Sequence, residues 1–72
     1  MIALNRQQNL YSPRLESILA EGFEFSGEDC CGYPIYLNGN EALIYDPMFD
    51  KQIIRFQSFG NGKYKITGGP DK

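Results

Sequence analysis

The chain has no histidine, only two cysteines, and seven basic residues against nine acidic ones, for a net charge of −2 over 72 residues. Each shortage excludes some chemistry. Without histidine, the side chain most often used as a general base near neutral pH is missing, and with it the commonest metal ligand. A structural zinc ion asks for about four Cys, His or carboxylate ligands at workable spacing. Here Cys30 and Cys31 are adjacent, and adding Glu28 and Asp29 would set four consecutive residues around one ion. No metal site and no cofactor are expected. The negative balance gives no attraction toward phosphate, so nucleic acid is not the expected partner. No apolar run approaches the ~20 residues that span a bilayer, so no membrane partner is expected. The leading stretch MIALNRQQNLYSPR lacks the charged segment and apolar core of a secretory leader. The expected compartment is therefore the cytoplasm, where thiols stay reduced.

What is present points to a folded chain. Hydrophobic residues make up 42% and aromatic residues 14%, with five tyrosines and five phenylalanines. Large apolar groups at that density repay chain entropy in a way disordered segments do not. The length allows one domain, residues 1–72, with one small core.

One helix is well signalled. Ser12 suits an N-cap, and Pro13 suits the first helical position, where its missing N–H would be unpaired in any case. Leu15, Ile18 and Leu19 form one helical stripe. Gly22 supplies a left-handed C-terminal residue, and Phe23 can fold back on the last turn. After Gly22 the chain reads as strands and turns. GFEF suggests the start of a short strand and GEDCCG a loop. YPIYL, NEALIYD, KQIIRFQSF and KYKIT follow as strands, with two-residue hairpin turns at Asn38-Gly39 and Asn61-Gly62 and a turn at PMFD. GGPDK reads as a loose tail. The expected fold is α+β: one short N-terminal helix, about Pro13 to Glu21, packed on a four-stranded antiparallel β-meander.

Those turns imply a register, and the register sorts side chains between two faces. One face collects Ile35, Leu37, Ala42, Ile44, Ile53, Phe59, Tyr64 and Ile66, the expected core under the helix. The other collects Tyr36, Leu43, Tyr45, Ile54 and Phe56. A solvated sheet face should be polar, and this one is aromatic. Either the N-terminal segment, Met1 to Leu4 with Leu10 and Tyr11, folds over it, or it binds a partner protein or a second copy of the chain as a homodimer.

Catalytic constellations are poor. The pair Glu28-Asp29 sits in a loop, and Asp46 and Asp50 bracket a turn where Asp is favoured for turn hydrogen bonds. GNGK, residues 60–63, lacks phosphate-loop spacing and precedes a strand. Cys30 and Cys31 allow a thiol-based redox or sensing role. Two neighbouring acids and no base argue against an activated thiolate, and adjacent cysteines bridge only through a strained ring. Both are expected to act as small apolar residues, one turned inward. Lys51, Arg55, Lys63 and Lys65 beside aromatics leave a weak nucleic-acid-binding sheet as a further alternative. The favoured expectation is a non-enzymatic protein-interaction module that uses Tyr36, Leu43, Tyr45, Ile54 and Phe56. Small acidic phage and mobile-element inhibitors, such as anti-CRISPR-like proteins, share this size class. That is an analogy of size, with no shared motif.

Overall fold

A computed structural model describes residues 12–72. The expected coverage of the sheet by residues 1–11 lies outside the described residues. Helix α1 spans Pro13–Glu21, with Pro13 in the first turn. It ends as the sequence predicts. Gly22 takes φ 109°. Its N–H donates to the Leu19 carbonyl at 3.0 Å, and the Phe23 N–H donates to the Ile18 carbonyl at 3.4 Å. That pair of bonds is the Schellman pattern, and Phe23 turns back into the core.

Five strands follow: β1 Glu24–Glu28, β2 Pro34–Asn38, β3 Glu41–Asp46, β4 Lys51–Gly60 and β5 Lys63–Gly68. They form one antiparallel sheet in the order β1-β2-β3-β4-β5. The sheet has five strands where the sequence reading has four, because the strand that starts within GFEF runs on to Glu28 and pairs with β2. The meander order follows from sequential hairpins.

The register departs from expectation at several places. The β2–β3 loop is Gly39-Asn40, flanked by the pair Asn38 and Glu41. Of its two residues only Gly39 has positive φ, at 63°, which suits a turn with glycine in the first central position. The Asn61-Gly62 turn is as expected, with both residues at positive φ. Ile53 is an extra residue between the pairs Ile44–Ile54 and Tyr45–Gln52. Phe59 and Thr67 are extra residues in the β4–β5 ladder, and Ser26 is one in β1. Each bulge slips the alternation by one and exchanges the faces beyond it.

The core therefore lies on the face opposite to the one expected. Ile18 and Phe23 pack on Tyr36, Leu43 and Tyr45, with Leu15 against them. Tyr36 and Tyr45 meet edge to face at 6.0 Å, and Arg55 stacks over Phe23 at 5.0 Å. Leu19, expected in the covering stripe, is exposed. Ile35, Leu37, Ala42, Ile44, Tyr64 and Ile66, expected as core, lie on the far side of the sheet.

The helix is held at both ends by distant residues. Ser12 makes no side-chain cap. The Asp50 carboxylate, 36 residues away in the β3–β4 turn, instead accepts the Arg14 N–H at 2.8 Å and the Leu15 N–H at 3.0 Å. The Asn38 side chain donates to the Glu21 carbonyl at 3.2 Å. The C-terminal residues are fastened rather than loose. Asp71 accepts the Gln52 N–H at 2.7 Å and pairs with the Arg14 guanidinium at 2.8 Å. The buried Gln52 side chain donates to the Gly69 carbonyl at 2.7 Å and accepts from both Arg14 and Arg55.

Candidate functional site

Pairing places Leu37, Ala42, Phe56 and Ile66 in one row across β2 to β5, with Glu24 at the β1 end. Ile35, Ile44 and Ile54 form a second row on the same face, and Ser58 beside Tyr64 a third. The helix lies on the opposite side, and no described residue packs over this face. Leu37 is 42% exposed, Tyr64 64% and Ile66 65%. Ala42 is small and lies between larger neighbours, so it floors a shallow depression of about 430 Å³ walled by Leu37, Phe56 and Tyr64. The Phe56 and Tyr64 rings meet edge to face at 5.6 Å, which fixes one wall. Of the charged residues on the two edge strands, Glu24 falls on this face, beside Leu37, whereas Glu28, paired with Pro34, and Lys65, paired with Gln57, fall on the helix side.

The five residues expected to form a single binding face are divided between two. Tyr36, Leu43 and Tyr45 are buried beneath the helix. Ile54 and Phe56 lie on the uncovered face, half-buried. The physical reason is the Ile53 bulge, which moves Ile54 and Phe56 across the sheet relative to Leu43.

Tyr45 serves the core and the helix together. Its hydroxyl donates to Asp50, the carboxylate that caps the helix. Burial pushes the Tyr45 hydroxyl well above the usual tyrosine range, and the neighbouring Asp50 carboxylate adds to the shift. Burial pushes Asp50 up as well. The hydrogen bonds from Tyr45, Arg14 and Leu15 outweigh it and leave the carboxyl below its ordinary value. The capping role of Asp50 was hidden in the sequence, since the side chain acts on a helix 36 residues earlier. The turn reading of Asp46 holds: its side chain accepts the Met48 N–H at 2.9 Å. That turn presents Met48 and Phe49 outward, both strongly exposed.

Cys30 and Cys31 are both exposed and unbridged, in the β1–β2 connection. Neither turns inward, because the segment is a turn and not extended chain. The Asp29 carboxylate shapes it by accepting the Cys31 N–H at 2.8 Å and the Tyr33 N–H at 2.9 Å. Among the described residues, no three Cys, Asp or Glu side chains gather as metal ligands, and no helix is long and apolar enough to cross a membrane. Comparison with protein-family models, with curated proteins and with solved structures found no match.

Proposed function

We propose that the protein is a non-catalytic interaction module that docks a partner protein on the uncovered face of its sheet. The observation that carries this reading is the composition of that face. An antiparallel sheet with one solvated side normally alternates to polar residues there, whereas Ile35, Leu37, Ile44, Ile54, Phe56, Tyr64 and Ile66 make this side apolar. A contiguous exposed apolar patch is the usual mark of a protein-binding surface. Phe56 and Tyr64 act as the anchors, being large rings held at fixed geometry. Tyr36, Leu43 and Tyr45 act as the support beneath. At this size the role that fits is stoichiometric occupation of a partner's surface, as a phage-type inhibitor of a host complex would do.

The test uses wild type and a Leu37→Lys/Ile66→Lys variant as baits, with circular dichroism as the check on folding. Both positions are exposed, so the fold should survive. Proteins retained by wild type should be lost with the variant. Equal retention by both would move the binding surface elsewhere.

A second reading is favoured by one observation, the exposure of both thiols on a single turn. It makes the β1–β2 connection a thiol-based sensor. A Cys30→Ser/Cys31→Ser variant that keeps all partner binding and all response to oxidant removes the basis for that role.

A further inference from the structure

We infer that the neighbouring thiols of Cys30 and Cys31 form a binding site for a monosubstituted trivalent arsenical, held as a cyclic dithiol adduct on the β1–β2 turn. This rests on reading that turn as a thiol-based sensor, and it names the chemical class the sensor takes.

The backbone fixes where the two side chains start. The Gly32 N–H donates to the Asp29 carbonyl at 3.0 Å, and the Asp29 N–H donates to the Tyr33 carbonyl at 2.9 Å. Gly32 has φ 87°, while neither cysteine takes positive φ. That is the three-residue hairpin loop built on a type I turn and ended by a left-handed glycine. Cys30 and Cys31 are the two central residues of that turn. The Asp29 carboxylate holds its shape by accepting the Cys31 and Tyr33 N–H groups. Consecutive Cα atoms lie about 3.8 Å apart, so the two sulfurs start within reach of one acceptor atom. Both thiols are exposed and unbridged, so neither is used in packing.

The number of sulfurs selects the ligand. Zinc and calcium ask for larger ligand sets. The chain has no third cysteine, and among the described residues no third Cys, Asp or Glu gathers with this pair. Asp29 Oδ1 already accepts two N–H groups. The ligand must therefore be one that two sulfurs saturate. A linear two-coordinate ion would need the sulfurs on opposite sides of it, which neighbours on one tight turn do not offer. Trivalent arsenic bearing one carbon substituent takes two sulfurs on the same side, and its softness suits thiolate. A direct disulfide between adjacent residues closes a strained ring; arsenic set between the sulfurs enlarges that ring by one atom. The exchange balances without a redox partner. Two As–S bonds replace the bonds from arsenic to oxygen, the two thiol protons leave with that oxygen as water, and neither arsenic nor sulfur changes oxidation state.

The experiment titrates the full, reduced chain with phenylarsine oxide, reading the adduct by intact mass and the affinity by calorimetry. Wild type should take one arsenical with loss of one water, and both thiols should then resist maleimide. Cys30→Ser and Cys31→Ser should each weaken binding at least about a hundredfold, because the second As–S bond no longer closes within one molecule. Dithiothreitol should strip the adduct, and glutathione at equal thiol concentration should not. Asp29→Ala should bind about fivefold more weakly, because the turn is no longer preorganised. Asp29→Asn, whose carbonyl oxygen can accept the same two N–H groups, should match wild type. No adduct on wild type, or equal affinity in either single cysteine variant, overturns the inference. Asp29→Ala binding as tightly as wild type overturns the part given to the turn. If the arsenical fails, the thiol-sensor reading still stands where oxidant changes wild type and not Cys30→Ser/Cys31→Ser, and falls with it where oxidant changes neither.

Discussion

Gly22 occupies a backbone conformation that residues with a Cβ adopt at a cost, with φ at 109°. A Cβ built there would lie 3.4 Å from the Asn38 amide nitrogen, which is fixed by its bond to the Glu21 carbonyl. Gly22→Ala should lower stability by about 1 kcal/mol in chemical denaturation. A variant at parent stability would show that the helix can end another way. Asp50 and Tyr45 set the response to pH. The folded Asp50 carboxyl lies below its ordinary value of 3.8, so the unfolded chain takes up its proton first as pH falls. The stability this group contributes is full above that ordinary value and is lost as pH drops through the folded one. Tyr45 has the opposite sign. Its folded hydroxyl is raised above the ordinary 10.0, so its contribution is full below that value and declines as pH climbs toward the folded one. Melting temperature against pH should fall at both ends. Asp50→Asn should flatten the acid limb and Tyr45→Phe the alkaline one; limbs unchanged in these variants would assign the pH response to other groups. Both thiols should be open in the native state, so a maleimide should add to Cys30 and Cys31 without denaturant, though the first adduct hinders the second. In the single variants Cys30→Ser and Cys31→Ser, an unreactive remaining thiol would contradict the exposed turn.

At the scale of elements, the chain end acts as a strap across the start of β4 and the helix. Asp71 joins the Gln52 backbone and the Arg14 guanidinium, and a Cβ at Gly68 would come 3.1 Å from the Gln52 amide nitrogen. Asp71→Ala should cost roughly 1–3 kcal/mol, because it removes the acceptor of the Arg14 Nε–H and of the Gln52 backbone N–H. A loss below a few tenths of that, by urea titration, would mean that the strap is a surface contact only. The same region shows what the sequence makes legible. Helix α1 and its ends could be read from Pro13, the Leu15 and Ile18 spacing and Gly22, because these are local signals. The Asn61-Gly62 turn was equally readable. The GGPDK tail was not, because its order comes from Gln52 and Arg14, far away in sequence. The two sheet faces were sorted correctly for β2 and β3 despite a shift in the turn, since a displacement of two residues keeps the alternation. They were inverted for part of β4, where Ile53 adds one residue. No local propensity marks a bulge in KQIIRFQSF. The choice of covered face likewise depended on the direction in which Phe23 leads the helix back.

For the molecule as a whole, the covered core is small: Ile18, Phe23, Tyr36, Leu43 and Tyr45 carry most of it. Large apolar side chains on the surface extend from the uncovered face to Met48 and Phe49 in the β3–β4 turn and Phe59 near the last hairpin. A chain with that distribution gains stability from whatever binds its folded form. If the occupant is another copy, the melting temperature rises with protein concentration, and Leu37→Lys removes the dependence.

The helix cap supplied by Asp50 also bears on the order in which the chain assembles. A nine-residue helix is too short to persist alone in water, and its first N–H groups find their acceptor only when the β3–β4 turn exists. Although α1 precedes every described strand, it should be among the last elements to form. A peptide of residues 12–23 should show a coil spectrum. In folding kinetics, Ala20→Gly should speed unfolding and leave the folding rate nearly unchanged, a ratio near zero on the scale that compares transition state with native state. A slowed folding rate would place the helix in the nucleus and make the strands wait for it.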